Sequence, residues 1–212
     1  GIREACTGRP GPVYIEVPSD FWDIKVNSNY KPNHLYRNPT LPEVNHIESQ
    51  IIINQLYKSS HPLMMVGEGV SENNIGDTLM QCIDTLQIPF CASPLGKNYV
   101  DEFHDLHLGS GYESKDVHFY LEKCDYLLLL GVRLQPDFLK DKSLSSITLV
   151  QVDNDPLEIG RSFPVNFSAV GSIASFLKKI PKNAHKRSTE LSQYLSSINN
   201  RHIQPKQSPL MG

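Results

Sequence analysis

An α/β fold, with a doubly wound, mostly parallel, Rossmann-like sheet and helices on both faces, is predicted by two observations. Short apolar runs alternate with segments whose hydrophobic residues recur at helical spacing, the pattern of strand–helix repetition. Several of the runs, YLLLL at 126–130 and ITLVQV at 147–152 among them, are continuous rather than alternating. Continuous apolar strands are expected where a parallel sheet is covered on both sides.

The elements follow in order. GRPGPVYIEVPSD at 8–20 opens with a stiff Pro-Gly turn, and residues 12–17, rich in β-branched and aromatic side chains, predict a strand. Periodicity then vanishes over 20–42, where Asn, Pro, Tyr and Lys predict a surface linker. Pro42 is placed to open a helix, with Thr40 nearby as a cap and Val44, Ile47, Ile51 and Leu56 on its apolar face. HPLMMV at 61–66 reads as a strand ending in Gly67-Glu68-Gly69, and Ile75, Leu79, Ile83 and Leu86 as one helical face. Residues 88–92 form the next predicted strand. The loop after it, with Pro94, Gly96 and Lys97, runs to a helix at about 117–123. The strand at 126–130 ends at Gly131, and the one at 147–152 ends at Asp153. A short strand at 167–170 precedes a helix capped by Ser172 and carrying Ile173, Phe176, Leu177 and Ile180. A last helix is expected with Leu191, Leu195 and Ile198 on one face, followed by a polar linker.

Composition excludes some classes. A net charge of −3 with scattered Lys and Arg gives no polycationic face for nucleic acid. The longest apolar run is far too short to span a bilayer, so no membrane partner is expected. The four cysteines (Cys6, Cys82, Cys91, Cys124) show no zinc spacing, and Cys82 and Cys91 lie among apolar residues, as buried thiols do. An intracellular setting is expected, cytoplasmic by default, with a peroxisome or other organelle as alternatives. His104 and His107 lie in one predicted loop without a third ligand, so a solvated loop is preferred to a metal site. No Ser-His-Asp set and no HExxH occurs, and no catalytic or metal-binding residue is assigned.

Ligands of open parallel sheets gather at the carboxyl ends of the strands. Those ends carry Gly67 and Gly69, Arg133, and Asp153. Glycines allow close backbone approach, an arginine grips a phosphate bidentately, and a strand-end carboxylate accepts ribose hydroxyls, so a nucleotide is the expected ligand. Each element has a plainer reading beside it. GEG is half of a GxGxxG fingerprint, since position 72 is Glu, and serves as well as a turn. Arg133 can be an ion-pair residue, and Asp155-Pro156 a helix start with Asp as cap.

Several ordered stretches carry a family resemblance. GRPGPV with its following strand and Pro-Ser-Asp resembles the end of the pyrimidine-binding domain of thiamine-diphosphate-dependent enzymes. The strand at 62–69, IPFCASPLGKN, CDYLLLLGVRL, VQVDNDPLEIG and SAVGSIASFL resemble the central domain of the same enzymes. The likeness covers about 5–180. PFCASPLGK with LLGVRL is similar to 2-hydroxyacyl-CoA lyase and oxalyl-CoA decarboxylase; GRPGPV and VDNDPLEIG are equally similar to acetolactate synthase. Asn98, where glycine is common, and the stretch 108–118 depart from both patterns.

The resemblance implies a division into the end of a pyrimidine-binding domain (1–20), a linker (21–42), a central nucleotide-binding-type domain (43–182), and a helix and linker (183–212) toward a diphosphate-binding domain. It implies thiamine diphosphate and Mg2+ held elsewhere in the parent enzyme, whose metal-binding Gly-Asp-Gly does not occur in this chain. It also implies partners in the flanking domains of the same polypeptide, and a homodimer or homotetramer. ADP or FAD is expected in the central domain, with Arg9, Gly67, Gly69, Arg133 and Asp153 lining its pocket and the fragment alone inactive. Two other readings stand beside this one: a stand-alone NAD- or FAD-binding module, and a ligand-free assembly domain.

Overall fold

The structure is a computed structural model and describes residues 1–6, 11–25, 41–71, 75–111, 113–135, 138, 146–181, 192–193 and 195–197. The chain divides into two compact units, Gly1–Pro42 and Glu43–Gly212. The first carries a short helix, α1 (Ile2–Cys6), and a 3-10 turn at Ser19–Asp23. The strand predicted at 12–17 is not formed: residues 11–18 join no ladder among the described residues, and Tyr14 and Ile15 are exposed. Strand propensity needs a neighbouring backbone to become a strand, and β-branched composition alone does not supply one.

The second unit is the predicted α/β domain. In chain order it runs α2 (His46–Lys58), β1 (Pro62–Val66), α3 (Ile75–Leu86), β2 (Phe90–Ala92), β3 (His107–Ser110), α4 (Lys115–Leu121), β4 (Tyr126–Leu130), β5 (Thr148–Asp153), β6 (Phe167–Val170) and α5 (Ile173–Leu177). The six strands form one sheet in the order β3-β2-β1-β4-β5-β6, and every pairing is parallel. This is the doubly wound order in which the chain starts at the centre, winds outward, then returns to wind the other way. The crossovers through α3 and α4 run in opposite directions across the sheet, and the right-handed rule therefore places them on opposite faces. All five residues of both β1 and β4 are buried, which is why these strands read as unbroken apolar runs.

Local sequence explains most boundaries. Asn45 caps α2, its side chain accepting from the Ile47 and Glu48 amides, and Ser172 caps α5 by accepting from the Ser175 amide. The α3 face is the predicted one, with Ile75, Leu79, Ile83 and Leu86 buried. The α2 prediction needs correction. The helix begins after Asn45 rather than at Pro42, and it buries Ser49, Ile52, Ile53 and Leu56 while Ile47 and Ile51 face outward. Three consecutive isoleucines at 51–53 leave the helical phase ambiguous, and the cap resolves it. Thr40 lies outside the described residues, as do Leu191 and Ile198 of the last predicted helix; Leu195 of that helix is buried.

At the amino edge of the sheet, Asp125 ties the end of α2 to the start of β4. Its carboxylate accepts from the Ser59 hydroxyl and from the amides of Ser60 (2.8 Å) and His61 (2.9 Å). Burial pushes this carboxyl up, but the hydrogen bonds together outweigh it and hold it below its ordinary value. A depressed folded value means that the contribution is complete above the unfolded pKa near ~4 and is lost as pH falls through the folded one. Asp125→Ala is therefore expected to cost about 1–2 kcal/mol at pH 7, allowing for its partial exposure. The deficit should shrink as the pH is lowered through the acid range, as urea titrations at stepped pH will show. A deficit independent of pH would contradict this role.

Candidate functional site

Register brings the predicted strand ends level. Val66 pairs with Leu130, and Leu130 with Val152, so the next residues, Gly67, Gly131 and Asp153, stand side by side on the carboxyl rim. The rim is crossed at β1 and β4 by the point where strand order reverses, the position at which such sheets bind ligands.

Glycine at 67, 69 and 131 answers first to packing. The Gly67 amide donates to Leu130 O (2.9 Å) and the Gly69 amide to Gly131 O (3.0 Å), which stitches the two turns together. A Cβ on Gly67 would stand 2.2 Å from Gly131 O, and one on Gly69 2.6 Å from Gly131 Cα. Gly131 adopts φ +59, a left-handed conformation that β-carbon sterics disfavour. Backbone lies against backbone here, so the open space that a ligand would use is beside these turns rather than on top of them.

That space is a cleft of about 520 Å³, lined by Glu68, by 93–95 after β2, by 131–135 after β4, and by Arg161 and Ser162 from the loop after β5. Arg133 forms an ion pair with Glu68 across the switch point, both side chains partly exposed. Arg161 pairs with Glu158 at 3.0 Å, and here the carboxylate is buried. The loop carrying Arg161 is held by Gln151, a buried polar residue of β5. Its Nε2 donates to Glu158 O (2.9 Å) and Val132 O (3.3 Å), and its Oε1 accepts from the Gly160 amide (2.9 Å). Arg133 and Arg161 thus line a cleft bounded by backbone turns, each of them ion-paired with a glutamate.

The predicted residues divide accordingly. Arg133 lines the cleft. Gly67 and Gly69 shape its wall through the Gly131 contact. Asp153 is at the rim but buried, and its carboxylate accepts from the Asp155 amide (3.0 Å) to close its own turn. Asp155-Pro156 begins a turn rather than a helix, Asp155 accepting from the Leu157 amide. Arg9 lies outside the described residues. Sequence reasoning passed over Glu68, Arg161 and Gln151. Glu68 is the middle residue of GEG, Arg161 follows directly on VDNDPLEIG, and a glutamine within an apolar strand signals a buried polar role.

The histidines do other work. His107 is not in a loop but opens β3, an edge strand missed because HLGS has neither an apolar run nor alternation. It is half-buried; burial holds its ring below the ordinary histidine pKa, against a bond from Nδ1 to Glu102 O (3.0 Å). His104 accepts from the Leu106 amide at Nδ1 and meets Asp84 at 3.0 Å through Nε2, fastening the loop to α3. Cys82 and Cys91 are buried as expected; burial pushes Cys82 up to about 12 and Cys91 higher still.

Sheet order and cleft together define a doubly wound α/β domain of Rossmann type with a ligand-sized opening at the switch point. Residues 50–180 match the family model of the thiamine pyrophosphate enzyme central domain, and the chain belongs to that family. It is 27% identical over 215 residues to "Probable acetolactate synthase large subunit" of Methanococcus aeolicus, a match covering 92% of this chain and 36% of the relative. It is also 27% identical over 184 residues to oxalyl-CoA decarboxylase of Escherichia coli, covering 84% and 31%. Benzoylformate decarboxylase from Polynucleobacter necessarius shares the fold, with a TM-score of 0.66 and 19% identity over 87% of this chain and 35% of that one. The chain thus spans about a third of the length of the curated relatives it matches.

Proposed function

We propose that this chain serves as the central domain of a thiamine-diphosphate-dependent lyase, decarboxylase or synthase acting on 2-hydroxyacyl-CoA or 2-oxo acid substrates. Its part is to scaffold the enzyme, next to flanking domains of the same polypeptide and within a homodimer or homotetramer, and to bind an ADP- or FAD-like nucleotide in the strand-end cleft. Thiamine diphosphate with Mg2+ would supply the electron sink for making or breaking the carbon–carbon bond. Among the described residues no three His, Cys, Asp or Glu side chains gather as a metal site, and none of the chemistry is assigned to this chain's residues.

The observation that carries the nucleotide reading is the cleft at the reversal of strand order with Arg133 and Arg161 on its wall. Calorimetry of the 212-residue chain with ADP, FAD, NAD and CoA tests it. Binding of ADP alone would select the acyl-CoA branch, and binding of FAD alone the synthase branch; the equal 27% identities do not separate the two. Arg133→Met is expected to weaken whichever nucleotide binds by about tenfold, or about 1.4 kcal/mol. Silence from all four ligands would sink the nucleotide reading.

A further inference from the structure

His107 opens β3, and the fold assigns a separate part to each of its ring nitrogens. Nδ1 lies 3.0 Å from Glu102 O, and a carbonyl accepts, so the hydrogen of the neutral ring is on Nδ1. Nε2 then carries the lone pair. It is buried, with no hydrogen-bond partner among the described residues. We propose that His107 is a pH-sensitive latch on the β3 edge: the neutral ring clips the segment 102–107 closed, and a second proton on Nε2 releases it. His107 does not line the strand-end cleft, and the latch does not depend on what binds there.

A proton on Nε2 would create a buried N–H without an acceptor, on a ring that then carries a full charge. The ring packs on Phe90 of β2, with centroids 5.0 Å apart. The charged groups that face it are Glu102 and Asp101, which favour the imidazolium, and Lys97 of the 3-10 turn Lys97–Tyr99, which opposes it. Lys97 also pairs with Glu102 at 3.9 Å. Phe90 contacts a second imidazole, His104, whose Nε2 is engaged with Asp84 of α3. Burial outweighs the two carboxylates and holds the His107 ring below its ordinary pKa. A lowered folded value means that the unfolded chain takes the proton first. The contribution to stability is complete above the unfolded pKa near ~6.5 and is lost as pH falls through the folded one. The opening is local, because the other bonds of this segment are short-range. The Phe103 amide donates to the Asp101 carboxylate (2.9 Å), the Leu106 amide to His104 Nδ1 (3.1 Å) and the His107 amide to His104 O (2.8 Å), while Leu106 O accepts from the Phe90 amide of β2 (2.9 Å).

Two measurements on the 212-residue chain test the latch. Long-range proton–nitrogen correlation spectra of the histidine rings should show the Nδ1–H tautomer for His107 at neutral pH. Hydrogen exchange, corrected for its intrinsic pH dependence, should show the Leu106 and His107 amides opening about threefold to tenfold more often at about pH 5.5 than at about pH 7.5, with the amides of β4 unchanged. His107→Asn keeps a side-chain N–H near the place of Nδ1 and does not titrate, so in that variant the pH effect should vanish. Circular dichroism melts check that it folds; should it fail, the tautomer and the exchange of the unaltered chain decide. The Nε2–H tautomer at neutral pH overturns the proposal, as does exchange at Leu106 and His107 that is indifferent to pH. So does a pH effect that persists in His107→Asn, which would give the response to another group.

Discussion

Gly131→Ala is expected to destabilise the domain by about 4 kcal/mol, a large share of the stability of an ordinary domain. Two costs combine. At φ +59 the new side chain would occupy a left-handed conformation, and its Cβ would stand 2.5 Å from Gly69 Cα and 2.6 Å from Gly69 C. The obstacle is backbone, so no rotamer relieves it. The turns after β1 and β4 must part, with loss of the Gly69 amide to Gly131 O bond and strain on the Gly131 amide to Val152 O bond (2.9 Å). Gly11→Ala is the matched control, because nothing lies within 4 Å of a Cβ there. Urea denaturation should show a much lower midpoint for the first and no change for the second; equal midpoints would contradict the packing role.

Gln151→Leu is expected to cost about 2–3 kcal/mol, although the two side chains are close in volume. The leucine fills the space but leaves Glu158 O and the Gly160 amide without the side-chain partner that holds them now. The effect should be local as well as global. Amides of 158–161 should exchange faster than those of β4, and a nucleotide in the cleft should bind severalfold more weakly as the Arg161 wall loosens. Unchanged stability would show that the loop is held by other means.

The sheet was legible because its physics is written in single strands. YLLLL and the strand at 62–66 could be read as central and parallel because burial on both faces removes alternation. β6 and the cap at Ser172 were equally plain. Errors fell where a partner decides the outcome. The segment 12–17 has strand composition but pairs with no strand among the described residues, and β3, a short edge strand containing Gly109 at φ +98, is defined by its pairing with β2. In the site, strand-end position was readable but pairing was not. Gly67 and Gly131 meet across sixty-odd residues, and nothing local to either shows that one needs the other to lack a β-carbon. The Glu68–Arg133 pair is likewise visible only once β1 and β4 are neighbours.

The cleft that reversal of strand order opens on the carboxyl rim is the proposed nucleotide site. Nuclear magnetic resonance of the isotopically labelled 212-residue chain during addition of ADP or FAD tests it most directly. Shifts should concentrate in the Arg133 and Arg161 guanidinium signals and the amides of Ser93, Leu95 and 131–135, leaving those of Ser60, His61 and Asp125 at the opposite edge in place. Shifts centred on that opposite edge, or none from either nucleotide at millimolar concentration, would contradict it.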